Sequence, residues 1–180
     1  MHILKKILIV VVIIIAIPLI VALFVKKDYA VVKEITVNKP KLEVFDYIKH
    51  LKNQGNFSVW QMADPEMIKT YTGTDGTVGF VASWDSQKED VGKGSQKITK
   101  IAEGERLETL ITFIRPFEAE DNAYMTTESI DSTHTKVTWG FSGAFSYPLN
   151  LMQLFMDMDK QVGGDLQKGL ENLKILMEKK

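Results

Sequence analysis

The hydrophobic pattern along the chain changes character twice. From Ile7 to Val25 it reads ILIVVVIIIAIPLIVALFV, 19 residues without a charge, bracketed by Lys5 and Lys6 on one side and Lys26 and Lys27 on the other. At 1.5 Å of helical rise per residue the run spans roughly 28 Å, close to the hydrocarbon thickness of a bilayer. It predicts a membrane anchor over 1–27. A cleaved signal peptide is the alternative, but an h-region normally runs about 7 to 15 residues and ends in small side chains. Here VALFVKK supplies bulky ones. Pro18 is compatible with a helix embedded in lipid.

After the anchor the period shortens. Tyr29 to Asn38, YAVVKEITVN, has the β-branched richness of a strand, and Pro40 then opens KLEVFDYIKHL, whose Leu42, Phe45, Ile48 and Leu51 recur at helical spacing. A polar loop bearing aromatics, NQGNFSVWQMADPE, leads into six further strands, expected near 66–71, 79–84, 95–101, 107–114, 119–130 and 135–142. Their separators, such as GTDGTVG, AEGER and DSTHT, have turn chemistry. The last strand alternates most cleanly, with Val137, Trp139 and Phe141 on one face. From Pro148 onward the period lengthens again and predicts one long terminal helix, which must bury its stripe against the apolar face of the sheet. The architecture is therefore α+β, with about seven antiparallel strands and a long C-terminal helix in a single domain over 28–180.

Composition narrows the chemistry. Without cysteine the chain has no disulfide, thiolate metal site or cysteine nucleophile, and three scattered histidines do not make a zinc site. All 23 acidic residues follow Lys27 while four of the 22 basic ones precede Asp28, so the soluble part carries a net −5. A basic footprint for nucleic acid is absent. Two lysines flank each end of the anchor, and only the amino terminus tips the balance toward an inside N-terminus and an extracytoplasmic domain. GKGS at Gly92–Ser95 shares letters with a phosphate loop but lacks its spacing and precedes a strand.

Several separated segments, VFDYIKHLKN, SVWQMADPE, VGKGSQKITKI, FIRPFEAE, TKVTWGFSG and NLMQLFMDMDKQVGGDLQKGLENLK, occur in an order that resembles bacterial proteins of the polyketide cyclase/dehydrase-like group. That group belongs to the SRPBCC superfamily, with START-type lipid-transfer domains and birch-allergen-like proteins. The resemblance covers Tyr29 to Glu178. It implies the helix-grip fold, a curved antiparallel sheet wrapped around a long C-terminal helix with a hydrophobic cavity between them. With the anchor read above, the expected location is a single-pass protein of the bacterial cytoplasmic membrane, and no cofactor or metal is expected.

The expected partner is a hydrophobic small molecule or lipid, with the membrane as a second partner through the N-terminal helix. The expected cavity wall comprises Trp60, Trp84, Phe113, Arg115, Trp139, Phe141, Met152, Phe155, Met156, Asp159, Gly163 and Leu166. Two alternatives remain open: a polyketide cyclase or dehydratase-like enzyme with Asp159 or Glu118 as acid or base, and a stress-response or interaction module with a filled cavity. On a continuous helix at about 100° per residue, Asp157 and Asp159 diverge by about 200°, so they cannot share a metal or a proton. The same arithmetic puts Asp159 in the stripe with Met152, Met156, Gly163, Leu166, Leu170, Leu173 and Met177, and leaves Asp157 on the surface. Asp159 is then a carboxylate satisfied near a sheet edge or a polar anchor for a ligand. Gly163 signals a close approach to a strand or ligand, or a kink. The tryptophans read as core or cavity wall. Arg115 and Glu118 read as an ion pair across the Pro116 bend or as an inward polar pair, and His134 as an exposed turn residue.

Overall fold

The computed structural model describes residues 2–179. Helix α1 runs His2–Ala22 and contains a 20-residue stretch, Ile3–Ala22, long and apolar enough to cross a membrane. Strand β1 (Asp28–Val37) and helix α2 (Lys41–Ile48) follow, then a 3₁₀ turn at Leu51–Asn56 and the short helix α3 (Val59–Met62). Six strands come next: β2 (Ile68–Thr72), β3 (Val81–Asp85), β4 (Lys93–Ala102), β5 (Arg106–Arg115), β6 (Ala119–Ser129) and β7 (Thr135–Ala144). A 3₁₀ segment at Leu149–Leu154 and helix α4 (Met158–Glu178) complete the chain.

All seven strands form one curved antiparallel sheet in the order β1-β7-β6-β5-β4-β3-β2. Consecutive strands from β2 to β7 pair with each other through turns, whereas β1 crosses to the far edge and pairs with β7, Tyr29 opposite Gly143 and Val37 opposite Thr135. Helix α4 lies in the concavity. Its Leu166, Leu170 and Leu173 are fully buried against Val31, Val137, Trp139 and Phe57, and α2 adds Val44, Phe45 and Ile48 to the same core. A smaller cluster of Leu51, Phe80, Ile98 and Leu107 closes the other side. The fold is the helix grip.

The terminal helix departs from its expected form. Instead of one helix from Pro148, the chain makes the 3₁₀ segment, turns at Phe155 and restarts at Met158. Asp157 is the N-cap, extended at φ −89° and ψ 95°, with its Oδ1 accepting from the Lys160 N–H at 3.2 Å. A carboxylate here meets the unpaired amides and the positive end of the helix dipole, which is why a residue expected to be idle surface begins the helix.

The restart moves Met152 and Met156 off the helix but leaves the phase within α4 unchanged. Asp159, one turn before Gly163, faces the edge strand β1 from the first turn of the helix, where its carboxylate is 67% exposed and paired with Lys33 Nζ at 2.8 Å. Gly163, in phase with Leu166 and Leu170, faces β1 directly: a Cβ there would lie 2.6 Å from Lys33 Cε and 3.0 Å from Val31 Cγ1. Close approach to a strand accounts for this glycine. Gly164 faces open space.

Candidate functional site

Between sheet and α4 lies a cavity of about 700 Å³. Its walls come from β1, β3 to β7, the α3 region and the segment from Ala144 into α4. The aromatic side is built by strand register. Trp84 lies over Gly94, its partner across the β3–β4 ladder, with a would-be Cβ 2.5 Å from the indole ring. Phe113 of β5 meets it edge-on with ring centroids 6.1 Å apart. The Trp84 N–H reaches the Val91 carbonyl at 3.3 Å, so the indole is satisfied while its ring faces the cavity.

Trp139 of β7 forms the opposite corner, in edge contact with Phe57 at 5.7 Å and Trp60 at 6.2 Å. Trp60 is held there because its loop is stapled down: the Ser86 hydroxyl donates to the Asp64 carboxylate, and Asp64 also accepts from the Glu66 N–H at 3.1 Å. The Ser86 hydrogen bond draws the Asp64 carboxyl below its ordinary range. Trp60, Trp84, Phe113, Trp139, Phe141, Met152 and Met156 all line the cavity.

The buried acid inside is one that the sequence pattern did not single out. Asp121 of β6 is only 5% exposed and lines the cavity beside Tyr29 of β1. The two side chains meet above Gly143 of β7, which pairs with Tyr29 and follows Ser142, the partner of Asn122. A Cβ at position 143 would lie 2.6 Å from the Tyr29 hydroxyl and collide with the Asp121 carboxyl. Burial raises the Asp121 carboxyl above its ordinary range, partly offset by the phenol's hydrogen bond. Burial first, then the Asp121 charge, raises the phenol. Gln96, also buried on this wall, donates to Thr109 Oγ1 at 3.0 Å.

Five of the expected wall residues stand elsewhere. Phe155 is 87% exposed, because the chain turns there instead of continuing as helix. Asp159 is tied to Lys33, Gly163 abuts β1 and Leu166 is sealed in the core. Arg115 points across the sheet to Asp85, 2.5 Å away, and not to Glu118. Glu118 itself is at the cavity, with Asp90, Glu120 and Asp121, and among the described residues no Lys, Arg or His lines it. His134 sits exposed in its turn, 2.8 Å from Asp131, whose carboxyl is drawn down to about 2 chiefly by the Thr133 N–H. Among the described residues no cluster of ligating side chains could hold a metal.

This geometry defines a helix-grip domain with an internal cavity, and solved structures place it among known ones. Norcoclaurine synthase from Thalictrum flavum, in complex with dopamine and hydroxybenzaldehyde, superposes with a TM-score of 0.61 at 9% identity, over 89% of this chain and 94% of that one. Ara h 8.0201 gives 0.54 at 16% identity, over 83% and 97%. A protein from Nitrosospira multiformis gives 0.57 at 14% identity, over 83% and 96%. The fold they share with this chain is the helix grip. No protein-family model matches the chain, and no curated protein matches it in sequence.

Proposed function

We propose that this protein is a membrane-anchored binding domain for a hydrophobic small molecule or lipid, held in the cavity between sheet and α4, and that the ligand is neutral or cationic. The observation that carries the reading is the cavity itself. About 700 Å³ falls within the ordinary range for ligand sites, and mostly apolar walls with a few buried polar groups, here Gln54, Ser58, Gln96 and Asp121, are what such sites use for affinity and orientation. Norcoclaurine synthase, built on the same fold, is solved with two small aromatic molecules bound.

Electrostatics select the ligand class. Among the described residues four carboxyl groups and no Lys, Arg or His line the cavity, so a fatty acid or phosphate headgroup placed inside would meet like charge on its walls. An amine or hydroxyl reaching Asp121 would instead add a donor to that buried carboxylate. Helix α1 and its lysine flanks would keep the domain at the membrane, on the side opposite the amino terminus.

Displacement of N-phenyl-1-naphthylamine from the full chain in detergent tests this with dodecylamine, dodecanol and dodecanoate. The amine should displace about tenfold more strongly than the acid, and Asp121→Asn should erase the amine's advantage over the alcohol. A chain that fails to bind the probe, or binds the acid best, would sink the reading. The enzyme reading keeps one observation in its favour: Asp121, raised by burial beside a phenol, is a candidate general acid. Under that reading Asp121→Asn abolishes turnover of a polyketide-like substrate while sparing its binding.

A further inference from the structure

Helix α1 ends in an unusual way for a tether. The last carbonyls of a helix lack intrahelical partners, and here a segment far along the chain supplies them. Asn150, wholly buried, donates through Nδ2 to the Ala22 carbonyl at 2.7 Å and the Val25 carbonyl at 2.9 Å. Gln153 Nε2 donates to the carbonyls of Lys26 at 2.9 Å and Lys27 at 2.7 Å, and the Tyr147 hydroxyl reaches Leu19 at 3.2 Å. The Phe145 N–H closes on Lys27 as well. A flexible tether would need none of these bonds.

They fix the depth of the segment. The uncharged run of α1 ends at Val25, and Lys26 and Lys27 mark the level at which a crossing helix meets lipid headgroups. Asn150 and Gln153 bond at that level. The segment carrying them exposes Leu149, Leu154 and Phe155, next to exposed Leu23 and Phe24 at the helix exit. Its inner side presents Leu149, Met152 and Met156 to the cavity. One stretch of chain is thus at once the cavity's wall, the cap of the membrane helix and an exposed apolar surface of the kind that marks a membrane contact.

We propose that the mouth of the cavity is seated in the headgroup layer of the bilayer that α1 crosses, with Leu149, Leu154 and Phe155 at the acyl boundary, so that the cavity opens onto lipid. This rests on the reading of α1 as a membrane span and of the cavity as a binding site. The occupant of the apolar surface is the bilayer, because the surface is continuous with the end of the membrane helix and hydrogen-bonded to it.

The absence of cysteine makes the test direct. Single-cysteine variants at Ile13, Leu149, Phe155 and Ser132, labelled with an environment-sensitive fluorophore, are reconstituted as full chains in vesicles of phosphatidylcholine brominated near the top of the acyl chains. Ser132 lies in the exposed β6–β7 turn at the opposite end of the sheet, about 30 Å away along a ten-residue strand. The labels at 149 and 155 should be quenched several-fold more than the one at 132. Quenching at 13 with none at 149 and 155 would overturn the seating while leaving the span intact, and equal quenching at 132 would overturn it too. No quenching at 13 would overturn it together with the membrane span. Binding of N-phenyl-1-naphthylamine in detergent reports on the cavity separately, so its loss would count against the binding reading alone.

Discussion

The two halves of the C-terminal region, Leu149–Leu154 and Met158–Glu178, share an apolar period and serve opposite ends. The second half buries Leu166, Leu170 and Leu173 completely against the sheet. The first leaves Leu149, Leu154 and the adjoining Phe155 in the open, and spends its amides on the carbonyls of α1. The difference teaches that helical spacing reports where apolar side chains recur, not what covers them; continuity across Phe155–Asp157 is decided by a cap and by tertiary hydrogen bonds.

The sharpest way to break the comparison is a matched truncation. Leu170→Ala, in the fully buried half, should cost about 2–5 kcal/mol, whereas Leu154→Ala should stay within about 0.5 kcal/mol, both from denaturant unfolding of the full chain in detergent. Equal losses would mean that the first half is packed as tightly as the second. The paired glycines divide the same way on a smaller scale. Gly163→Val must push on Val31 and Lys33 and should cost about 1–3 kcal/mol. Gly164→Ala meets open space and should gain about 0.5–1 kcal/mol from helix propensity. Removing the cap with Asp157→Ala should cost about 1 kcal/mol, read as a lower melting temperature with loss of helical signal.

The smallest expected effect is one of pH. Asp121 has its carboxyl raised by burial in the folded state, so below the ordinary carboxylate value both states hold the proton and the group is neutral to stability. As pH climbs from there, the unfolded chain releases its proton first and folding stability falls, levelling once the raised value is passed. Unfolding midpoints of the native chain should decline across that window, and Asp121→Asn should flatten the decline. A native profile that rises there would contradict the placement of this carboxyl.

Much of the fold was legible because its signals are local. Strands β2 to β7 fall where alternation and turn residues place them, and Val137, Trp139 and Phe141 do face inward together. The site was legible in its aromatics and not in its polar group. Asp121 shares an inward face with Ala119, Ala123 and Met125, a pattern present in AEDNAYM. A carboxylate in a strand reads by default as surface, and its partner Tyr29 lies on the first strand. Asp159 keeps the phase of the buried stripe but stands in the first turn of α4 beside the edge strand, where Lys33 and solvent take its charge, and angular arithmetic does not report how far along the helix the sheet's cover extends. The break at Asp157 depends on bonds from Asn150 and Gln153 to residues more than a hundred positions earlier, which no local period encodes.

The strand order has a consequence in time. β1 is the first element to leave the ribosome after α1, yet its neighbour in the sheet is β7. Closing so long a loop is entropically slow, and domains rich in such distant pairings fold late. Throughout synthesis of the intervening strands, β1 waits with both edges open. The last strand and α4 therefore act as the latch of the whole domain, and a chain cut short before Thr135 forfeits the sheet's seam along with its grip.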